Sequence, residues 1–188
     1  MQFVENQVLT KEDWSKRILK DFEFVDCQFV NCDFTNADFT MATFSNCTMD
    51  QCNLSYVKWT TARVMTLTIK SCKCVNNAFY EAIPKFFHLI VEDTLMMTCN
   101  FTGMSLIKSK FINCKLMDCF FQEADCKGVT FQGCDLKGSL FFHTNLEKAN
   151  FKSACNYSIS VADNNVKGAQ FSYPEAMDLL NGLGIVIS

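Results

Sequence analysis

The sequence predicts an all-β protein whose chain winds into a four-sided coil, a quadrilateral β-helix. The first observation is an apolar residue at every fifth position over about thirty repeats, with one two-residue slip and one polar exception at Asn156. The second is an alternation of Phe with smaller apolar residues at a period of ten, and the third is the recurrence of cysteine at intervals of twenty. A short fixed period is typical of repeat architectures, and a period of five fits neither an α-helix nor a flat strand.

The recurring apolar residue, here called the centre, is predicted to point into the coil together with the residue two positions before it. The other three positions of each repeat are predicted to face outward. Before the slip the centres are Phe24, Phe29, Phe34, Phe39, Phe44, Met49, Leu54, Trp59, Val64, Ile69, Cys74 and Phe79. After the slip they are Phe86, Val91, Met96, Phe101, Leu106, Phe111, Leu116, Phe121, Cys126, Phe131, Leu136, Phe141, Leu146, Phe151, Asn156, Val161, Val166 and Phe171.

The number of sides follows from the order of the centres. From Phe101 to Phe151 they alternate between Phe and Leu or Cys. A coil of four sides stacks Phe on Phe, whereas a coil of three sides would stack Phe on Leu. The cysteines agree with four sides, because many of them recur twenty residues apart. These sets are Cys27 with Cys47, Cys32 with Cys52 and Cys72, Cys99 with Cys119, and Cys114 with Cys134.

Twelve cysteines raise the question of disulfides or zinc. Nine of them lie two residues before a centre, in a position that Ala, Ser, Val or Thr fills in most other repeats, and Cys74 and Cys126 are themselves centres. This placement indicates small buried hydrophobic residues, which we expect to be free thiols in a reducing compartment. Cys72 and Cys74 form the only close pair and lack a matching second pair. The sequence therefore predicts no metal and no cofactor.

The composition bounds the class of protein. The 188 residues fit one domain or one continuous repeat array. No apolar stretch reaches the roughly 18 residues that a membrane span needs, and the segment from Met1 to Arg17 lacks the apolar core of a secretory signal. We therefore expect a cytoplasmic protein with no membrane association.

Three segments are predicted along the chain: an N-terminal cap at 1–18, the repeat coil at 19–171 and a C-terminal module at 172–188. In the C-terminal module Pro174 suits the first turn of a short helix, and a strand is predicted at 185–187. The slip falls at about 80–85, where Pro84 marks a bulge because proline cannot donate to a strand ladder.

The repeats resemble those of pentapeptide-repeat proteins, whose unit is roughly Ala-Asp/Asn-Leu/Phe-x-x. The segments that carry the resemblance are 31–35, 36–40 and 134–138. The resemblance covers about residues 19 to 171 and implies a right-handed, four-sided β-helix.

The C-terminal tail, residues 171–188, is similar to that of the Qnr-type quinolone-resistance proteins and their albicidin-immunity relatives. The stretch from Glu123 through Ser139 to Tyr157 is similar to the albicidin-immunity type. The resemblance implies a non-enzymatic dimeric rod that imitates duplex DNA, binds DNA gyrase or topoisomerase IV and protects it from drugs. Antibiotic resistance would then be the biological effect.

The tail is predicted to form a homodimer, because it is more apolar than a cap requires. The residues predicted to dimerise are Leu179, Leu180, Leu183, Ile185, Val186 and Ile187. The alternative is a simple cap over the open end of the coil.

The charge pattern permits DNA mimicry only locally. The net charge is −3, which disfavours direct nucleic-acid binding. Residues 21–57 contain six acidic residues and no Lys or Arg, and a basic stretch follows them. The residues predicted to contact a partner are Asp26, Asp33, Asp38 and Asp50, with Pro84 and Phe87 of the bulge. The alternatives are a solvated acidic face and a bulge that only accommodates a packing fault.

Two other functions stay open: a scaffold for a different protein partner, and direct sequestration of a small antibiotic at an aromatic surface. An enzyme is disfavoured, because phosphate-binding and dinucleotide fingerprints are missing. The two histidines, His88 and His143, have no evident triad or metal set around them and are predicted to face solvent.

Overall fold

The protein forms a right-handed, four-sided β-helix of about eight turns. The structure is a computed structural model, which describes residues 2–183. The predicted fold class is confirmed. Each coil takes about twenty residues, because strand pairing is parallel and joins Phe24 to Phe44 and Phe44 to Val64.

The strands are short, as expected when the chain turns a corner every five residues. They are β1 (Gln2–Glu5), β2 (Val8–Thr10), β3 (Phe22–Val25), β4 (Gln28–Val30), β5 (Thr43–Asp50), β6 (Arg63–Lys70), β7 (Lys73–Val75), β8 (Leu89–Glu92), β9 (Leu95–Met97), β10 (Lys110–Ile112), β11 (Lys115–Met117), β12 (Leu140–Phe141), β13 (Asn150–Phe151), β14 (Ser158–Ile159) and β15 (Gln170–Phe171). In the part of the chain that the structure describes there are also three 3₁₀ segments, at Phe79–Glu81, Pro84–Phe86 and Glu175–Leu183.

We number the four walls of the coil as faces 1 to 4, in the order in which the chain meets them. Face 1 includes Val4, Phe24, Phe44 and Val64. Face 2 includes Leu9, Phe29, Met49, Ile69, Val91 and Phe111. Face 3 includes Cys74, Met96 and Leu116. In its earlier coils Asp13 pairs with Asp33, Asp33 with Asn53, and Asn53 with Lys73. Face 4 includes the column in which Ile18, Asp38 and Lys58 pair, and higher up Asn100, Phe120 and Leu140.

The corners between faces depend on residues with a left-handed backbone. Among residues 2–183, 25 non-glycine residues have positive φ, and most of them lie two positions after a centre. Asn and Asp are frequent there because their short polar side chains tolerate this conformation. Gly133 and Gly138 have positive φ, and a Cβ at either position would displace the side chain of Asn113 or Asp118 in the preceding coil.

The interior consists of separate columns of large and small side chains, as predicted for four sides. On face 4 the rings of Phe79, Phe101, Phe121 and Phe141 stack in succession with centroids 4.9 to 5.2 Å apart and nearly parallel planes. A second column of parallel rings on face 2 contains Phe111, Phe131, Phe151 and Phe171. Offset stacks of this kind stabilise beyond the burial of their area.

The position two residues before a centre makes a hydrogen bond that the sequence analysis did not anticipate. The thiol of Cys52 donates to the carbonyl oxygen of Phe29 in the preceding coil at 3.4 Å. The Ser139 and Thr144 hydroxyls make the equivalent bonds to Leu116 and Phe121, each at 2.8 Å. The slot therefore selects small side chains, and Cys, Ser or Thr there adds a hydrogen bond between coils that Ala cannot make.

The twelve cysteines are free thiols, of which eleven are buried and Cys155 is half-buried. Burial raises the pKa of Cys47 to about 11, and burial also raises the pKa of Cys126. Because the thiolate is the reactive form, we expect about one thiol per folded chain to react rapidly with an aromatic disulfide reagent near neutral pH, and twelve after unfolding. Replacing Cys155 by serine should abolish the rapid phase; rapid reaction of several thiols in the folded chain would contradict the packing.

Three predicted centres are wrong: Phe86, Asn156 and Val161, of which Val161 is half-buried while Ile159 takes the position opposite Phe141. Phe86 is 54% exposed, and Phe87 takes the inward position with 4% exposure. Asn156 is exposed with φ of 56°, and its side-chain amide donates to Asp135 Oδ1 at 2.8 Å, while Tyr157 is buried instead. These shifts arise where the coil changes length. The pairing step lengthens to 22 residues between Leu67 and Leu89 and shortens to 18 residues between Phe141 and Ile159.

The N-terminal boundary of the coil differs from the predicted cap at 1–18. Residues 2–18 form the first coil, with β1 pairing in parallel with β3 and β2 with β4. The apolar residues of this coil that point inward, Val4, Leu9 and Trp14, are only partly buried because nothing of the described chain lies beneath them. The first coil therefore closes one end of the helix by itself.

Candidate protein-interaction surfaces

The acidic residues predicted to contact a partner lie on different sides of the coil. Asp26 has a left-handed backbone and lies at the corner between faces 1 and 2. Asp50 ends β5 on face 2. Asp33 lies on face 3 and Asp38 on face 4. The structure therefore does not bring the four carboxylates together on one wall.

Two of these aspartates have a cationic neighbour in the next coil. Asp38 Oδ2 lies 3.4 Å from Lys58 Nζ, and Asp50 is the register partner of Lys70. Partial burial favours a raised pKa for Asp38, but hydrogen bonds from Thr40 and the charge of Lys58 outweigh it and hold the pKa below its usual value. The carboxylate stays ionised, but Lys58 offsets its negative potential.

Asp33 has an acidic neighbour instead, which the sequence analysis missed. Asp13 pairs with Asp33 on face 3, and both side chains are exposed. Each accepts a hydrogen bond of 2.9 Å from a backbone N–H two residues further on, in Ser15 and Thr35 respectively. The separation of twenty between them is a usable signal in the sequence, but the predicted cap at 1–18 leaves Asp13 outside the coil. We call Asp13 and Asp33 the acidic pair.

The bulge projects from face 1 in the fifth coil. Its 3₁₀ turn, Pro84–Phe86, begins with the proline. The lack of an N–H costs nothing there, because the first N–H of a helical turn has no partner within the turn. Pro84 is exposed and accessible to a partner. Phe87, predicted as a contact residue, is buried and its ring lies edge-on to Phe79 with centroids 6.0 Å apart. The exposed aromatic rings of this region are those of Tyr80 and Phe86, which are 50% and 54% exposed.

The tail folds back on the end of the coil. The helix predicted after Pro174 is present as the 3₁₀ segment Glu175–Leu183, which contacts β14. Leu179 packs against the core, Leu180 is half-buried and Leu183 is exposed. Ile185, Val186 and Ile187 lie outside the described residues, so dimerisation through the tail stays a prediction.

Among residues 2–183, no helix has the length and apolar character to cross a membrane. Within the same residues, no three His, Cys, Asp or Glu side chains are grouped as metal ligands would be. His88 lies beside the bulge, where its ring contacts Thr66 and Lys108, and the ring of His143 stacks on exposed Phe142.

Comparison with known proteins agrees with this architecture. A family model described as pentapeptide repeats matches eight copies, at residues 23–58 and 119–155. The quinolone resistance pentapeptide repeat protein QnrB96 of Scandinavium goeteborgense is 27% identical over 116 residues, which are 62% of this chain and 49% of the relative. The chain therefore aligns with about half the length of this curated relative.

A solved structure shares the fold along nearly the whole chain. It is a trypsin-treated variant of QnrB1, a plasmid-mediated fluoroquinolone resistance protein, with 18% identity and a TM-score of 0.56. The match covers 97% of this chain and 99% of that structure.

The repeats and the four-sided coil are those that the pentapeptide-repeat family model describes, at residues 23–58 and 119–155. Together with the similarity to a quinolone resistance protein, they support a Qnr-like pentapeptide-repeat protein.

Proposed function

We propose that this protein binds DNA gyrase or topoisomerase IV and protects the enzyme from quinolone- or albicidin-type inhibitors, without catalysing a reaction itself. The observation that carries the proposal is the similarity to a quinolone resistance protein, 27% identical across 116 residues. A rod with close-packed walls supports a role in which the outer surface meets a protein partner. The bound protein would then protect the enzyme by competing for the surface on which the drug-binding complex forms, or by changing the geometry of that complex.

The mimicry of duplex DNA that we propose is partial and local. Two coils rise by about 10 Å, and duplex DNA of that length carries roughly six charges. The acidic pair places two exposed carboxylates on adjacent coils of one face, and Asp26 adds a third at a corner. Asp38 contributes little because Lys58 lies beside it. Association with a basic groove should therefore weaken with salt.

We further propose that the working form is a head-to-head homodimer held by the tail. Leu183, Met177 and Tyr173 expose apolar surface at this end of the rod. A dimer would double the length of the rod and present the acidic pair at both of its ends. Sedimentation with Leu183→Asp and Met177→Asp variants, which change exposed side chains, would test the dimer separately from topoisomerase binding.

The direct test is a supercoiling and cleavage assay of gyrase with a quinolone, with and without micromolar protein. The proposal requires fewer cleaved complexes when the protein is present, and co-purification with gyrase that is lost at high salt. Unchanged cleavage together with no co-purification would reject it. Calorimetry of the drug with the protein alone separates target protection from drug sequestration.

The acidic pair gives a sharper prediction. Replacing Asp13 and Asp33 together by asparagine removes two charges but keeps the side-chain oxygens that accept from Ser15 and Thr35. We expect the affinity for gyrase to fall by about 10-fold at low salt, with a smaller salt dependence. The matched control is Asp135→Asn, which lies higher on the coil and also accepts from the N–H two residues on. Equal binding by all three proteins would show that the acidic pair is not a contact.

A further inference from the structure

The bulge leaves a concavity on face 1 that a regular coil would not have. β8 pairs only with the second half of β6, from Leu67 to Lys70. The first half of β6 on face 1 therefore meets the bulge instead of a strand. A hollow of about 530 Å³ results, lined by parts of the third to the sixth coils. We call it the bulge concavity.

The bulge concavity combines apolar surface with positive charge. Met65, Phe86 and Ile107 line it and are 40%, 54% and 42% exposed. Lys85 and Lys108 also line it, and Lys85 Nζ lies 5.2 Å from the centre of the Phe86 ring. Its eleven described lining residues include no Asp or Glu. A complementary ligand would therefore carry negative charge around an apolar group.

His88 holds the hollow in shape before any ligand arrives. Its Nε2 lies 3.0 Å from the Lys108 carbonyl oxygen, which can only accept, so Nε2 carries the proton. In the neutral ring Nδ1 then accepts from the Thr66 hydroxyl at 3.1 Å. The ring thus ties together three successive coils at one wall of the hollow. A site that is already ordered loses less entropy on binding.

We propose that the bulge concavity binds a short acidic segment of polypeptide that inserts one large apolar side chain between Met65, Phe86 and Ile107. Lys85 and Lys108 would flank that side chain and meet carboxylates on either side of it. A nucleic acid fits less well, because binding a phosphate backbone needs a track of cations, whereas here two lysines border three apolar residues. The proposal does not depend on the partner being a topoisomerase.

The probe that tests this proposal is a displayed library of random linear peptides, selected on the folded protein. Selection against a variant with Lys85→Glu and Lys108→Glu removes peptides that bind elsewhere. We expect the enriched peptides to share acidic residues around a large apolar residue. No enrichment, or enrichment of basic or uncharged sequences, would overturn the proposal.

Fluorescence anisotropy of labelled enriched peptides then locates the site. The charge-reversed variant should bind them at least about 10-fold more weakly, and Phe86→Ala about 5-fold or more weakly. A matched variant with Lys137→Glu and Lys152→Glu, which changes two exposed lysines on other faces, should bind as the original protein does. Equal affinity for all variants would overturn the proposal, as would tighter binding of a labelled DNA duplex that the charge-reversed variant loses.

The outcome is separable from that of the proposed function. Peptide binding at the bulge concavity together with unchanged gyrase cleavage would leave this inference standing and reject topoisomerase protection. If no peptides are enriched on the folded protein but the charge-reversed variant still protects gyrase, this inference is rejected and topoisomerase protection stands.

Discussion

Replacing Phe121 by alanine should lower the free energy of unfolding by about 3–5 kcal/mol, the range observed for a buried phenylalanine. The Phe121 ring is fully buried and stacks between Phe101 and Phe141, with centroids 5.2 Å and 5.0 Å away. It also meets the edges of Phe111 and Phe131 from the second column. The cavity left by its removal would open both columns at once, and a stiff coil can collapse into it only slightly. Urea unfolding followed by circular dichroism measures the loss.

The matched control for Phe121 is Phe142→Ala, which removes the same atoms from a side chain that is 48% exposed. We expect the free energy of unfolding to change by less than about 1 kcal/mol, as for an ordinary surface substitution. Similar losses for the two variants would mean that the ring columns do not hold the coils together.

Replacing Asn77 by leucine should cause the second largest loss in the free energy of unfolding, because two buried polar groups would lose their hydrogen-bond partner. Asn77 is 1% exposed; its Oδ1 accepts from Trp59 Nε1 at 3.0 Å, and its Nδ2 donates to the Leu54 carbonyl oxygen at 2.8 Å. Leucine preserves the size of the side chain but makes neither bond. Each group left unpaired costs about 1–3 kcal/mol, and urea unfolding reports the sum.

A double-mutant cycle with Trp59→Phe separates the indole bond from other effects of the change. Phenylalanine keeps an aromatic ring next to Phe39 and Phe79 but has no N–H to leave unpaired. Asn77→Leu should therefore cost less in the Trp59→Phe background, with a coupling of about 0.5–3 kcal/mol. A coupling of zero would show that the Trp59–Asn77 bond contributes nothing to stability.

The regular part of this fold was predictable because each residue's environment depends only on its place in a period of five. The alternation from Phe101 to Phe151 identified four sides, and the rings stack on faces 2 and 4 as that alternation requires. Cysteine two residues before a centre indicated small buried side chains, which the structure confirms. The hydrogen bonds of those thiols to the preceding coil needed the actual distances between coils.

The candidate surfaces were less predictable. The separation of twenty between Asp13 and Asp33 was visible in the chain, but Lys58 beside Asp38 matters only because the two side chains approach to 3.4 Å. The bulge was visible at Pro84, but the sequence did not indicate that Phe87, rather than Phe86, is the buried ring that lies edge-on to Phe79. The bulge concavity arises from residues of several coils and has no signature in any one repeat.

The sequence alone determined the coil, its four sides and the columns inside it, because these properties repeat and each repeat specifies them again. Tertiary structure alone decided which ring turns inward at the bulge, why Tyr157 replaces Asn156 in the interior, and which charges face each other. The first two outcomes lie where the period breaks, whereas the charge pairs lie in regular coils and depend on how closely the side chains approach. Where the period breaks, the side chain that points inward is chosen by packing against coils about twenty residues away in the chain, and no local pattern records that contact.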